Sequence, residues 1–189
     1  MSDAATKLMT VDEFLVWAEG RDGKWELHDG EPVAMAPERI AHTLVKMSTA
    51  GALVDAVRRA GAPCTALAEG VTVRVTARRA FVPDASIICP PPHHNDVETS
   101  SPVVVVEVLS PSTAAFDHGP KLEGYFSLPS LAHYLLLDPD RRVVIQHSRG
   151  RDGVIETRIW REGAMPLEPP GIVVAVAEFF GRDALSGAD

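Results

Sequence analysis

The sequence predicts an α/β protein in which a mixed β-sheet is flanked by α-helices. Residues 38–60 place apolar side chains mostly three and four positions apart, which is the period of an amphipathic helix. Short apolar runs follow, and one of them, residues 103–109 (VVVVEVL), is apolar on both faces, as a central strand covered on both sides is. No internal repeat or low-complexity linker divides the 189 residues. We therefore expect one domain over residues 1–189, with a core from about 10 to 180.

The N-terminal elements have specific local signals. Thr10 followed by Glu13 has the spacing of a capping box and predicts a short amphipathic helix to about Glu19. Asp29-Gly30, with alternating apolar residues on either side, is a strong signal for a β-hairpin. In that hairpin, Glu26 points away from the apolar face.

The remaining elements follow from the same periodicities. We expect the long helix to end at Gly61 and to contact the core through Ile40, Leu44, Met47, Leu53, Val54 and Val57. Strands are predicted over residues 65–68, 71–75, 85–89, 103–109, 133–137, 143–147 and 154–160, a short helix over 121–128, and a surface loop over 90–102.

The charge of the chain limits the classes of partner. With 18 basic and 26 acidic residues the net charge is -8, which argues against a basic nucleic-acid coat protein and against docking on an anionic membrane. A polyanionic substrate would need a local positive patch or a metal ion. No apolar run approaches the ~18 residues of a spanning helix, and the first ten residues lack the apolar stretch of a signal peptide. We expect a cytoplasmic protein without membrane contact.

Two cysteines, Cys64 and Cys89, are too few for a disulfide framework or a four-cysteine zinc site. Both lie in or beside apolar segments. We expect them to be buried structural thiols.

Two carboxylates lie where a folded protein tolerates them poorly. Glu107 interrupts the most hydrophobic strand, where an unpaired charge costs several kcal/mol or stays protonated. Asp84 follows Pro83 and opens a second apolar strand, so pairing of the two strands would bring the carboxylates together. A salt bridge to a buried Arg or Lys would compensate Glu107, and so would a divalent cation held by both carboxylates.

Several segments together resemble a known family. In chain order they are residues 25–31 (WELHDGE), His42, residues 82–84 (VPD), residues 106–113 (VEVLSPST), Asp117, residues 121–125 (KLEGY) and residues 133–139 (HYLLLDP). A proline-aspartate opening one strand, a glutamate in the next and a nearby lysine resemble the PD-(D/E)XK nuclease superfamily. The longer pattern is similar to the bacterial Uma-two family of endonucleases, most specifically in VEVLSPST and the lysine and tyrosine that follow.

The resemblance implies a restriction-endonuclease-like fold and metal-dependent hydrolysis of phosphodiester bonds in nucleic acid, with DNA as the expected substrate. Hard divalent cations take oxygen ligands, so we assign Asp84, Glu107 and the Val108 carbonyl as ligands of Mg²⁺ or Mn²⁺. Glu26 resembles the early acidic residue of the family and would complete the site or hold a second ion. The resemblance also implies a homodimer.

One position departs from the superfamily pattern. The residue two places after the glutamate should be a lysine on the same strand face, and here it is Leu109. In this family the lysine appears on the following helix, which identifies Lys121. We expect Lys121 to orient or deprotonate the attacking water. If Lys121 instead points to solvent, the hydrolytic assignment loses the group that activates the nucleophile.

Other candidate residues each have a structural alternative. Glu26 can be solvated beside its turn, and Lys121 can be a lysine on the helix surface. His42 can donate to a phosphate or a ligating carboxylate, although a lone helical histidine is more often satisfied elsewhere or exposed. Tyr125 shares a helix face with Lys121 and can bind the site or simply pack the helix onto the sheet. Ser112 and Asp117 are candidate caps of that helix.

Two polar groups complete the list of candidates. The densest basic group could contact a phosphate backbone if its members share a rim, and is otherwise ordinary surface charge; it comprises Arg58, Arg59, Arg74, Arg78 and Arg79. His93-His94 with Asp96 is interpreted as solvated, because its proline-rich loop has no spaced partner ligands. No sequence motif for base-specific recognition is present.

Two alternatives from other functional classes stay open. The chain can be a non-cleaving module that binds nucleic acid or a protein partner on the same fold, and dispersal of Asp84, Glu107 and Lys121 would favour it. It can also be a two-carboxylate glycosidase. The apolar position of Glu107, the nearby lysine and the low aromatic content of 6% favour a metal over a sugar.

Overall fold

The structure, a computed structural model, describes residues 8–110 and 114–181. The helices are α1 (Val11–Ala18), α2 (Ile40–Ala60), α3 (Ala114–Phe116), α4 (Leu122–Phe126) and α5 (Val176–Phe180). A π-helical turn (Asp117–Lys121) joins α3 to α4, and a 3-10 turn covers Arg151–Gly153. The strands are β1 (Trp25–His28), β2 (Glu31–Ala34), β3 (Thr65–Ala68), β4 (Thr72–Thr76), β5 (Arg79–Phe81), β6 (Ala85–Ile88), β7 (Glu98–Thr99), β8 (Pro102–Val108), β9 (His133–Asp138), β10 (Val143–Arg149), β11 (Ile155–Trp160), β12 (Ala164–Leu167) and β13 (Ile172–Ala175).

A six-stranded mixed sheet in the order β11-β10-β9-β8-β6-β3 forms the centre of the molecule. Strands β8 and β9 are parallel, and the other neighbours are antiparallel. All seven residues of β8 are buried, as its uniformly apolar sequence predicts. The predicted class, a mixed sheet flanked by helices, is confirmed. The strands divide further, however, because β2-β1-β5-β4-β7 form a second sheet and β12-β13 a separate hairpin.

Apolar side chains fill both faces of the central sheet. On one face, α2, α5 and the β12-β13 hairpin pack against β6, β8 and β9. On the other face, Tyr125 and Phe126 of α4 lie between Tyr134 of the central sheet and Val73 and Phe81 of the second sheet. Helix α1 covers the far side of the second sheet. A helix therefore reaches the end of β8 from each side.

Helix α2 ends at Gly61 as predicted, with the left-handed backbone that glycine adopts readily, but the predicted inner face is partly wrong. Ile40 is 78% exposed and Met47 is 67% exposed. The buried positions are Val45, Lys46, Thr49, Ala52, Leu53, Ala56 and Val57. The prediction failed because several inward residues are small or polar, so the large apolar residues mark the wrong side. Across residues 8–110 and 114–181, no helix is long and apolar enough to cross a membrane.

The elements with specific local signals were predicted correctly. The Thr10–Glu13 capping box opens α1, and the hairpin turns at Asp29-Gly30. Besides β7, five of the labelled helices and strands escaped prediction, namely α3, β5, β12, β13 and α5. They have three to five residues each, which is too short for a period to be recognised. The predicted loop over residues 90–102 contains the two-residue strand β7.

Cys64 and Cys89 form a disulfide, so the expectation of two separate thiols was wrong. The cause is strand register. Thr65 of β3 lies opposite Ile88 of β6 in an antiparallel pair, so the next residues outward, Cys64 and Cys89, also face each other. The number of cysteines does not reveal which residues of β3 and β6 face each other.

Gly124 allows α4 to approach the second sheet closely. A Cβ atom at this position would lie 3.0 Å from the Phe81 ring and 3.3 Å from Val75 Cγ1. We expect Gly124→Ala to lower the free energy of unfolding by about 1 kcal/mol net, because overpacking exceeds the gain in helix propensity. Gly51→Ala in α2 is the matched control. Its Cβ meets nothing within 4 Å, so it should raise stability by about 0.5–1 kcal/mol. Urea denaturation of both variants measures the difference, and equal effects would contradict this packing.

Candidate active site

Asp84 and Glu107 lie opposite each other at one end of the central sheet. Ala85 pairs with Val106 in the antiparallel β6-β8 ladder, and the Asp84 N–H donates to the Val106 carbonyl at 3.1 Å. One Asp84 oxygen accepts the N–H of Val108, the residue after Glu107, and both carboxylates line the same cavity. The two predicted ligands are therefore neighbours, and both are 4% exposed.

Lys121 points into the protein and contacts the carboxylates. Its Nζ lies 2.9 Å from Glu107 Oε1, 2.9 Å from Glu26 Oε1 and 3.7 Å from Asp117 Oδ1. The π-helical turn carries both Asp117 and Lys121 and places the lysine beneath the end of β8. The Tyr125 hydroxyl donates to Glu107 Oε1 at 2.9 Å. Tyr125 thus packs the helix, as expected, and also binds Glu107.

Glu26 is buried and held in place, so the solvated alternative does not apply. The Val82 N–H donates to its Oε1 at 3.0 Å, and His28 Nε2 lies 2.9 Å from its Oε2. The His28 ring stacks on Phe116, with centroids 4.4 Å apart. Strand β1 therefore brings a third carboxylate to the Lys121 ammonium.

Lys46 is a site residue that sequence reasoning missed. Its Nζ lies 2.8 Å from Asp84 Oδ1, 2.8 Å from Glu38 Oε1 and 2.9 Å from Glu69 Oε2. The other Asp84 oxygen accepts the Val108 N–H at 2.6 Å. A signal was available, because a lysine four residues after His42 falls on the helix face that also carries Thr49 and Leu53. The prediction placed the inner face of α2 on its large apolar residues, so Lys46 was not assigned to the site.

His42 lies against the carbonyl that we expected to bind a metal. Its Nε2 contacts the Val108 oxygen and lies 3.9 Å from Asp84 Oδ2. Its Nδ1 lies 3.2 Å from Glu38 Oε2. The histidine thus connects α2 to the end of β8, and its side chain contacts the carbonyl of Val108, the predicted third ligand.

Negative charge predominates among the buried side chains of the site. Within the described residues, the buried carboxylates are Glu26, Asp84, Glu107 and Asp117, and the buried lysines are Lys46 and Lys121. Burial, together with the charges of Asp84, Asp117 and Glu26, raises the pKa of Glu107 despite the nearby ammonium. Buried carboxylates therefore outnumber buried lysines in the described part of the site.

The two lysines keep their protons in this arrangement. Burial alone would lower the pKa of Lys121, but the charges of Glu107, Glu26 and Asp117 outweigh it, and the pKa is raised. Burial likewise opposes the charge of Lys46, and Asp84, the largest favourable influence, raises its pKa. Lys121 is therefore a cationic donor, and the expected role in deprotonating water does not suit it in this arrangement.

A cavity of about 480 Å³ opens above these groups. It is lined by Glu26, Asp84, Glu107 and Lys121, and also by the mostly apolar segment 33–37. Leu109, which replaces the lysine of the superfamily pattern, lines the same cavity. The acidic and basic candidates thus face one space that is open to solvent.

The other candidates do not join this site. Arg58, Arg59, Arg74 and Arg79 form ion pairs with acidic side chains, on elements as separate as the end of α2 and the β4-β5 hairpin. Arg74, Arg78 and Arg79 lie together on the β4-β5 hairpin, but none of the five arginines lines the cavity. His93, His94 and Asp96 are exposed, as expected. Ser112, a candidate cap, lies outside the described residues, whereas Asp117 is inside the π-helical turn.

Comparison with known proteins identifies the family. Residues 11–177 match the Uma2 family model, described as "Putative restriction endonuclease". The chain belongs to this family. Two proteins of Synechocystis sp. are similar, and both are described as uncharacterized. The protein slr1290 is 27% identical over 147 residues, covering 77% of this chain and 76% of its own length. The protein sll1609 is 27% identical over 139 residues, covering 71% and 77%.

A solved structure has the same fold. The crystal structure of an Anabaena variabilis protein, described as "a putative nuclease belonging to DUF820", superposes with a TM-score of 0.73. The match covers 91% of this chain and 97% of that one, at 16% sequence identity. The resemblance stated from the sequence motifs and the restriction-endonuclease-like fold class are confirmed.

The raised pKa of Glu107 predicts a pH-dependent cost in stability. Below the ordinary value of 4.5, both the folded and unfolded states hold the proton. As the pH rises above it, the unfolded state loses the proton first, so the stability contribution of protonated Glu107 is lost up to the folded pKa. We therefore expect Glu107→Gln, without added metal, to gain stability relative to the native chain as the pH rises above 4.5.

Urea denaturation across this pH range measures the difference. Asp55→Asn, on an exposed side chain of α2, is the control and should show no such trend. A Glu107→Gln variant that is much less stable than the native chain at neutral pH would show that Glu107 serves a structural ion pair instead.

Proposed function

We propose that this chain is a metal-dependent endonuclease that hydrolyses phosphodiester bonds in nucleic acid, with DNA as its substrate. The observation that supports this most is the convergence of Asp84, Glu107, Glu26 and Lys121 in the lining of one open cavity. Family membership supports a nuclease in general. The cation, the substrate and the role of each residue are our proposal.

The donor set suits a hard divalent cation. Asp84 and Glu107 offer carboxylate oxygens at one end of the central sheet, and Val108 offers a carbonyl at the same strand end. Four buried carboxylates against two buried lysines leave the described part of the site short of positive charge. Mg²⁺ or Mn²⁺ held by Asp84, Glu107 and Val108 would supply this charge and would polarise the scissile phosphate.

Lys121 would act on the nucleophile and on the transition state. Its ammonium is fixed by Glu107 and Glu26 in the lining of the cavity. From there it can donate to an attacking water and stabilise negative charge that develops on the phosphoryl oxygens. Because its raised pKa keeps it protonated, it orients the water and does not take the proton.

Three neighbouring side chains would position the ligands. Lys46 holds one oxygen of Asp84 while the Val108 N–H holds the other. Tyr125 fixes Glu107 through its hydroxyl, and burial together with the charge of Glu107 raises the pKa of Tyr125, so it stays a donor. His42 lies beside the Val108 carbonyl and can donate to a phosphate at the mouth of the cavity.

The non-cleaving module is the second candidate. It is supported by the fact that Asp84 and Glu107 each already have a lysine partner, as a purely structural ion-pair network would. The glycosidase alternative is weaker, because a cationic lysine in contact with both Glu107 and Glu26 suits a phosphate better than a sugar.

Removal of the ligand charges tests the proposed chemistry. We expect Glu107→Gln and Asp84→Asn to remove Mg²⁺-dependent or Mn²⁺-dependent cleavage of DNA and to weaken Mn²⁺ binding measured by calorimetry, while circular dichroism shows a retained fold. An amide keeps the shape of the side chain but not the charge that a cation needs. Asp55→Asn, on an exposed side chain of α2, is the matched control and should cleave normally. Unchanged cleavage by Glu107→Gln would refute the metal assignment.

The position of the lysine is tested separately. Lys121→Ala should lower kcat by about 10² or more and leave Mn²⁺ affinity nearly intact, because the ammonium acts on the water and the transition state. Leu109 lines the same cavity, so the double variant Leu109→Lys, Lys121→Ala should recover part of the rate. Normal turnover by Lys121→Ala would mean that the helix lysine has no part in catalysis and would favour the binding module.

A further inference from the structure

Strand β11 is an exposed edge of the central sheet. It pairs with β10 on one side, and no other described strand pairs with it. Residues 155–159 are all exposed, with Ile155 at 39% and Ile159 at 64%. The strand (IETRIW) contains no proline, which would prevent an edge from pairing, and its two charged residues have opposite signs. The edge is therefore open to a further strand.

The order of the side chains suits a second copy of the same strand. In an antiparallel pair with two-fold symmetry, one residue must face its own copy, because hydrogen-bonded and non-hydrogen-bonded pairs alternate along the ladder. If Thr157 is that residue, Glu156 of each copy faces Arg158 of the other. A pair centred on Glu156 or on Arg158 would instead oppose two like charges. Among the registers centred on the three middle residues of the strand, the charges therefore select the one centred on Thr157.

The same register also matches the apolar side chains. Alternation along the strand places Ile155, Thr157 and Ile159 on one face and Glu156 and Arg158 on the other. Ile155 of each copy then faces Ile159 of the other. Within one chain, Glu156 and Arg158 form an ion pair at 3.6 Å, and their side chains remain 56% and 63% exposed. Their charges are thus available to a partner strand.

We infer that two copies of this chain associate through β11, with Thr157 on the two-fold axis, and extend the six-stranded sheet into one continuous antiparallel sheet across the interface. This isologous contact satisfies the backbone groups of both edges at once. Strand β11 is three strands from β8 in the sheet, and none of its residues lines the cavity. The association thus leaves the candidate active site open and is independent of the proposed function.

Charge reversal with rescue tests this register on the full chain by sedimentation equilibrium. The native chain should reach twice its 20.3 kDa mass. Glu156→Arg and Arg158→Glu should each weaken the dimer about tenfold or more, because symmetry turns both opposite-charge pairs into like-charge pairs. The double variant Glu156→Arg, Arg158→Glu should restore the dimer. Asp55→Arg and Arg58→Glu make the same charge changes on an exposed pair of α2 and should have no effect.

Three results would overturn the inference: a native chain that is monomeric throughout, single variants that dimerise normally, or a double variant that fails to recover. A dimer lost instead on Met47→Glu would assign association to the exposed face of α2.

Cross-linking gives a second measurement that does not depend on charge. With copper phenanthroline as the oxidant, Thr157→Cys should form a covalent dimer, because a residue on the two-fold axis lies opposite its own copy at disulfide distance. Ile159→Cys should not, since it faces Ile155 of the other copy. Equal cross-linking of the two variants would contradict the register.

Discussion

The ion pair between Lys121 and the carboxylates of Glu107 and Glu26 allows an acidic residue to lie within the most buried strand. Burial raises the pKa of Glu107, the ammonium of Lys121 lowers it, and three neighbouring carboxylates raise it further, so the ammonium offsets part of the cost of the buried acid. The contact also connects three elements, because β1 carries Glu26, β8 carries Glu107 and the π-helical turn carries Lys121. The packing of both sheets around α4 depends on this polar centre.

A second lysine gives the site its asymmetry. Lys46 holds Asp84 from α2, whereas Lys121 holds Glu107 from the opposite side of the sheet. The two opposed carboxylates are thus fixed by separate helices, and neither can turn away from the end of β8 without breaking an ion pair. A cavity above them provides access from solvent. Fixed carboxylates, a nearby cationic donor and an open approach are what phosphodiester hydrolysis with a cation requires.

The sequence identified site residues where a charged side chain lies within or beside a regular apolar pattern. A charged residue in an apolar strand identified Glu107, and a proline-aspartate at a strand start identified Asp84, and the structure places the two side by side. Sequence reasoning missed Lys46, because the inner face of α2 carries several small and polar residues and was therefore not recognised as the buried face. It also missed the pairing of Cys64 with Cys89, because the register between β3 and β6 depends on tertiary structure. Short elements such as β5 and β12 become regular only through their partners.

The most direct test of the account is the anomalous scattering of a crystal soaked in Mn²⁺. We predict a single strong peak between the carboxylates of Asp84 and Glu107, within bonding distance of the Val108 carbonyl, with Lys121 retained beside it. Cation density elsewhere, for example among Glu38, Glu69 and Asp84 where Lys46 now lies, would contradict the assignment of ligands. An empty site at saturating Mn²⁺ with both lysine ion pairs intact would contradict the metal-dependent mechanism itself.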